Sequence, residues 1–358
     1  MKYPSPLNRV RKYARQIFRH DKGVDNRPMP AGAPFESRWV RSEPRRLLPE
    51  RLLDHCAIPR SRVLTVESAG GLRNANFRIQ LDAPSEWVIV RIYEHDVSIC
   101  RKELDLLNLI RTSIPVPEVI HAEPEGWNNV PPFAIFRYVD GVTFREVKRG
   151  GDAGAIAPAA RSIGRTLAAV HRMTFAKPGW LGPGPLVGDP LLEGCDAAPR
   201  FIATCLESEN CRQRMDADLR KKILDLVWSH AAELAGIEQE RRLVHGDFGK
   251  QNVLVRCVSG SWAVAAVLDW EFAISGSPLV DVGHFLRYER HARPLVEPHF
   301  SQGYCEAGGV LPSGWRWLAR VVDLIALCES LTHDDLTGDV ERELVDLVRA
   351  TAENRDRD

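Results

Sequence analysis

No apolar run in this chain approaches the roughly 20 residues that cross a bilayer, so a helical membrane span is not expected. The first residues, MKYPSPLNRVRKYARQ, lack the apolar centre of a signal peptide, and the cytoplasm is the expected compartment. Cysteine is present without organisation. Cys56, Cys100, Cys195, Cys205, Cys211, Cys257, Cys305 and Cys328 form no CxxC pair and have no zinc-like spacing with histidine. That scatter fits reduced thiols and argues against a disulfide scaffold. There is no internal repeat and no net charge, with 48 basic side chains against 48 acidic ones. The zero hides an asymmetry. Residues 1–46 carry three Lys and nine Arg against two Asp and two Glu, a surplus of eight, so the remainder is acidic by the same amount. An acidic body suits a cationic substrate. The basic segment is poor in apolar residues, so residues 1–47 are expected to form a loosely ordered extension rather than a nucleic-acid-binding arm.

What is present is enough for two lobes. The chain has 358 residues, 44% hydrophobic and 27% charged, the composition of an ordinary globular protein. Its most telling stretch is Leu243–Val255, LVHGDFGKQNVLV. An apolar strand runs into His245-Gly246-Asp247, and Asn252 follows Asp247 by five residues. A second apolar run, Ala263–Leu268, ends at Asp269-Trp270-Glu271, and Gly276-Ser277-Pro278 and Asp281 come after it. An HGD tripeptide alone marks only a turn. The whole order of strand, HGDxxxxN, hairpin, strand and DWE matches the needs of phosphoryl transfer. One carboxylate must orient or deprotonate the attacking hydroxyl, and an amide oxygen and a second carboxylate must hold magnesium on the triphosphate.

Upstream, Ser61–Glu67 and Phe77–Leu81 alternate as strands around the turn AGGLRNAN, where small residues admit phosphate oxygens to backbone N–H groups. Trp87–Ile92 (WVIVRI) is an apolar strand interrupted by one cation, Arg91. Arg101–Ile110 is a helix by periodicity, with Leu104, Leu107 and Ile110 on one side and Glu103 beside them. A charge inside an apolar strand needs a partner, and Glu103 is the natural one. Pro132–Val139 reads as a strand ending at Asp140-Gly141, with Phe136 placed to sit behind a nucleotide base.

The pieces AGGLRNANF, WVIVRI, Glu103, FRYVDG, IGRTLAAVH, LVHGDFGKQN, VLDWE and SPLVDVGHFL, in that order over residues 60–335, resemble the aminoglycoside phosphotransferase and choline kinase group of small-molecule kinases. The resemblance implies an α+β, two-lobed, protein-kinase-like fold. The antiparallel-sheet nucleotide lobe would span 48–139, the mainly helical catalytic lobe 140–345, and a charged tail 346–358. It implies ATP and Mg2+ as cofactors and a small-molecule hydroxyl as acceptor. Asp247 resembles the catalytic base, and Asn252 and Asp269 resemble the magnesium ligands. His245 is mainly structural in such enzymes, and Asp281 resembles the carboxylate that braces the catalytic loop. Gly70, Gly71 and Asn74 would cover the phosphates, Arg91 paired with Glu103 would grip them, and the backbone at Arg137 and Val139 would meet the adenine. Arg91 departs from the lysine common in antibiotic kinases, but it retains the charge and can bind two oxygens at once. No membrane or nucleic-acid partner is expected.

Pro158–His171 is an amphipathic helix by pattern, with His171 as its terminal residue. Phe201–Trp228 and Trp315–Ser330 also read as helical, and Pro178–Pro190 as a loop or lid. Glu193, Asp196, Glu207, Glu209, Asp216 and Asp218 either line a cationic pocket or form a solvated face. Trp180, Trp270, Trp315 and Trp317 either wall a substrate or fill the core. Lys250 either touches the γ-phosphate or lies on the surface.

Overall fold

The computed structural model describes residues 48–353 except 71–73, 83, 95, 193, 195 and 290–292. The basic extension, the end of the charged tail, Gly71 and Glu193 lie outside these residues.

A short helix, α1 (Leu48–His55), precedes an antiparallel sheet of β1 (Val63–Gly70), β2 (Ala75–Leu81), β3 (Glu86–Ile92), β4 (Val119–Glu123) and β5 (Phe133–Arg137). Helix α2 (Val97–Ile110) lies between β3 and β4 in the chain. The sheet order is β1-β2-β3-β5-β4. The two-residue period of β3 decides which face each side chain takes. Val88, Val90 and Ile92 are buried on one face with Leu52 and Leu53 of α1, Ile79, Leu81, Phe133 and Ile135. Arg91, one residue out of that phase, therefore points to the opposite face, where α2 packs. Helix α2 starts four residues before the expected Arg101, because Asp96 caps it by accepting the Ser98 N–H at 3.0 Å.

After residues 138–141 the chain enters the second lobe with β6 (Val142–Thr143), α3 (Phe144–Gly150) and α4 (Ala153–His171). Helix α4 begins five residues before the expected Pro158, capped by Asp152. Proline in its second turn costs one backbone bond close to an end where several donors already lack intrahelical partners. Then come β7 (Gly179–Trp180), α5 (Ala197–Leu206), α6 (Glu209–Arg214), α7 (Ala217–Ser229), α8 (Ala231–Glu238), β8 (Arg242–Val244), β9 (Val253–Val258) and β10 (Ser261–Val267). A 3₁₀ turn at Trp270–Phe272, β11 (Ile274–Gly276), α9 (Pro278–Leu286), α10 (Glu297–Glu306), α11 (Trp315–Ser330) and α12 (Gly338–Ala352) complete it. The region read as one helical stretch, Phe201–Trp228, is thus three helices broken at capping residues Ser208 and Asp216. Helix α12 continues past residue 346, where Leu347, Val348 and Thr351 are buried. Helices α4 and α10 cross so closely that a Cβ on Gly164 would lie 2.1 Å from the Phe300 carbonyl oxygen, so glycine is required at the crossing.

Candidate active site

Strand β8 delivers His245-Gly246-Asp247 into a buried loop. Gly246 has φ +82°, and a Cβ there would meet the Phe272 carbonyl oxygen at 2.3 Å, so both conformation and space demand glycine. Asp281, fully buried in the first turn of α9, accepts the N–H of His245 at 2.8 Å and that of Gly246 at 2.9 Å. The same carboxylate meets Nε2 of His171 at 3.1 Å, and Nδ1 of His171 meets the Tyr304 hydroxyl at 2.8 Å. His171 is therefore part of the brace beneath the loop rather than simply a helix-end residue, and no periodicity in the sequence marked it or Tyr304. The His245 ring is buried against Trp270. Its Nδ1 accepts the Asp247 N–H at 3.2 Å, so Nε2 carries the proton given to the Leu268 carbonyl at 2.8 Å. Burial pushes its pKa down, which agrees with this neutral form. His245 is thus a spacer between the HGD loop and the strand leading to Asp269.

Asp247 is 1% exposed. The Asn252 amide donates to its Oδ2 and to its carbonyl, both at 2.9 Å, which turns the Asn252 amide oxygen the other way. His284 of α9, a residue not singled out in the sequence, brings Nε2 within 3.4 Å of Asp247 Oδ1. The Asn252 carbonyl accepts the Leu268 N–H at 2.8 Å, which ties the metal-type amide to the DWE segment.

Asp269 adopts φ +68°, a left-handed conformation rare outside glycine, and opens the 3₁₀ turn. Arg91 joins the two lobes here. It donates to Glu103 Oε1 at 3.2 Å and to Asp269 Oδ1, and lies 4.0 Å from Glu271 Oε2. Glu103 is held by the Tyr93 hydroxyl at 2.6 Å and by the Trp270 N–H at 3.2 Å. Tyr93, Lys102 and Glu271 were not anticipated. Lys102 is buried and donates to the Glu271 carbonyl at 2.7 Å. Burial pushes its ammonium down to about 8, against the opposing pull of Glu271 and Glu103. The folded pKa lies below the unfolded one, so between about 8 and the ordinary lysine value of 10.5 the unfolded chain binds more protons and stability rises with pH. Wild type is expected to gain on the order of 2–3 kcal/mol relative to Lys102→Met across that window. Chemical denaturation of both proteins at several pH values checks this, and parallel stability curves would refute it.

The remaining sequence candidates distribute as follows. Gly70 ends β1 opposite Asn76. Asn74 is buried and its amide donates to Glu271 Oε2 at 3.1 Å, tying the residue before β2 to the DWE segment. At the link between lobes the Arg137 N–H is taken by the Glu118 carbonyl and the Tyr138 N–H by that of Trp87. The Arg137 side chain pairs with Glu118 and Glu86 on the surface. Phe136 is buried. Lys250 donates to the Phe285 carbonyl and lies over its ring, so it is turned into the second lobe. Trp270 is fully buried and bonds Val267, which makes it core rather than substrate wall. Glu207 pairs with Arg212 of the next helix, Asp218 with Lys222 of its own helix, and Asp216 caps α7, so these acids are engaged within the helical region. Within Pro178–Pro190, Gly179 and Trp180 pair with β11, which fastens the loop to the second lobe.

Glu103, Asp269 and Glu271 thus gather around Arg91, with Lys102 on the Glu271 carbonyl.

The family model for the phosphotransferase enzyme family matches residues 66–321. The chain belongs to this family. Similarity to solved structures is at the level of fold. A thermostable mutant of aminoglycoside phosphotransferase APH(4)-Ia, in ternary complex with ADP and hygromycin B, superposes with TM-score 0.59 at 18% identity, covering 86% of this chain and 98% of that one. The GDP complex of wild-type aminoglycoside 2'-phosphotransferase-IIIa gives TM-score 0.62 at 17% identity, covering 86% and 99%. Both are kinase-like, as the α+β two-lobed reading expects. Among curated proteins, acyl-CoA dehydrogenase family member 11 of Pongo abelii is 27% identical over 205 residues, 56% of this phosphotransferase. The chain spans 23% of that relative's length. Among the described residues, no helix is long and apolar enough to cross a membrane.

Proposed function

We propose that this phosphotransferase transfers the γ-phosphoryl group of ATP directly to a hydroxyl of a small molecule, with Mg2+ as counter-ion. The observation that carries the reading is the junction at Asp269. There the Arg91–Glu103 pair of the first lobe meets the DWE segment, which bonds through Leu268 to both His245 and Asn252 of the catalytic loop. In this reading Asp247 orients the acceptor hydroxyl and takes its proton as the new O–P bond forms. The bond from the γ-phosphorus to the bridging oxygen breaks, and ADP leaves with that electron pair. Asn252 and Asp269 would hold magnesium, whose charge neutralises the triphosphate. Arg91 would release Asp269 to reach phosphate oxygens while Glu103 keeps its guanidinium in place. The backbone of Gly70 and Gly71 would cover the phosphates, with Asn74 fixing the turn. Because the Arg137 N–H is committed to Glu118, the base would meet the Arg137 carbonyl and the Val139 N–H.

The test is a panel of hydroxyl acceptors with Mg-ATP, read as ADP release above the no-acceptor rate. It includes aminoglycosides, other amino sugars and amino alcohols. It also includes hydroxylated acyl thioesters, because the matched curated relative carries an acyl-CoA dehydrogenase name. ATP binding without acceptor-dependent turnover anywhere in the panel would favour a nucleotide-binding protein without transfer activity.

Arg91 variants separate charge from geometry. Arg91→Ala is expected to raise the KM for ATP about 10–100-fold, the range for losing charge-assisted bonds. Arg91→Lys keeps the charge, loses the fork, and should have a smaller effect. Steady-state kinetics against ATP checks both, and an unchanged KM in Arg91→Ala would remove Arg91 from the phosphate site.

A further inference from the structure

A second cluster of ligating side chains lies at the outer edge of the first lobe, on α1 and on β4, the edge strand of the sheet. His121 and Glu123 are two residues apart on β4, so both project from one face of it. His55, the last residue of α1, reaches the same point from above. Its Nε2 lies 2.9 Å from Glu123 Oε1, and the His121 Nε2 lies 3.3 Å from that same oxygen. Among the described residues these three bring their ligand atoms within 4.8 Å of one another. The edges of a tetrahedral site with bonds of about 2.0–2.1 Å are about 3.3 Å, so two of the three separations are already near those of a metal-bound set. The His55 ring is oriented by stacking on Trp127, with centroids 4.1 Å apart. The three side chains are 24–34% exposed, open enough for an ion to enter from solvent.

We infer that His55, His121 and Glu123 form a binding site for a divalent transition metal, zinc foremost. The donor chemistry selects the ion. Two imidazole nitrogens and one carboxylate suit zinc and its neighbours, whereas magnesium and calcium prefer oxygen throughout. The site is therefore distinct in chemistry from the proposed magnesium ligands Asn252 and Asp269. Cys56 does not complete the set. Its thiol is not among the three ligand atoms that lie within 4.8 Å of one another. Water takes the fourth position. On binding, each Nε2 must present its lone pair, so hydrogen bonds to Glu123 give way to metal bonds and protons move to Nδ1 or to solvent. The consequence is a clamp of α1, which follows the basic extension, onto the open edge of the sheet.

The experiment uses the full chain, free of any affinity tag and stripped with a chelator. Zinc is titrated calorimetrically in the presence of excess Mg2+. One equivalent is expected, with a raised thermal midpoint. The double variant His121→Asn, Glu123→Gln should bind zinc at least tenfold more weakly while retaining the far-ultraviolet circular dichroism of wild type. Substoichiometric zinc in wild type, or equal affinity in a folded double variant, would overturn the site. If the double variant does not fold, cobalt bound to wild type decides. A tetrahedral visible spectrum with histidine nitrogen in its X-ray absorption supports the site, and an octahedral, all-oxygen spectrum refutes it.

Discussion

Asp247→Ala is expected to lower phosphoryl transfer about 10²–10⁴-fold, the usual cost of removing a positioned general base, while leaving Mg-ATP binding within a few-fold of wild type. The separation follows from the wiring of the site. Asp247 takes two bonds from Asn252 and lies beside His284, whereas the proposed phosphate and metal contacts are those of Arg91 and Asp269, which pair with each other. One bond from Asn252 goes to the Asp247 backbone and survives the substitution, so the amide stays near its place. Single-turnover kinetics with an acceptor found in the panel, alongside nucleotide titration, measures the two effects separately. Near-normal turnover in the variant would remove Asp247 from its assigned role. Loss of nucleotide binding in parallel with turnover would mean that it serves the metal instead.

Asp281→Ala is expected to cost about 3–5 kcal/mol of stability, the range for removing one partner from a buried polar network. Asp281 makes no contact with substrate in this reading. Its two oxygens accept the N–H groups of His245 and Gly246 and meet the His171 ring, all in a region without solvent access. Removing it leaves several buried groups without an acceptor at the point where the catalytic loop leaves β8. Asp281→Asn keeps the shape and one acceptor oxygen, so an intermediate loss is expected. Denaturant unfolding of both variants checks the order. Wild-type stability in Asp281→Ala would show that the loop is held by other means.

The parts legible in the sequence are those governed by local periodicity or fixed spacing. The alternation of β3 put Arg91 out of phase with Val88, Val90 and Ile92, and the helical pattern after it supplied Glu103. The pair they form at 3.2 Å follows from two periods, 2 and 3.6, meeting across one sheet face. The HGDxxxxN and DWE spacings likewise located the loop and the hairpin that returns to it. Where local reading failed, it failed at boundaries and at side chains with two possible environments. Asp96 and Asp152 moved helix starts by capping ahead of the apolar pattern, and Trp270 and Lys250 turned inward although nothing around them in sequence required it.

By itself, then, the sequence determined the main strands and helices and the order of the loop and DWE motifs, because strand and helix periods and turn chemistry act within a few residues, while the two-lobed α+β architecture came from the family resemblance those motifs carry. Only the tertiary structure decided which distant polar groups became partners. Asp281 meets His171 across 110 positions and Asn74 meets Glu271 across 197. His55 meets Glu123 across 68, with no local pattern to announce it. Such pairings arise because a buried or crowded polar group must find a partner wherever packing places one. That choice belongs to the folded core, not to any segment of the chain.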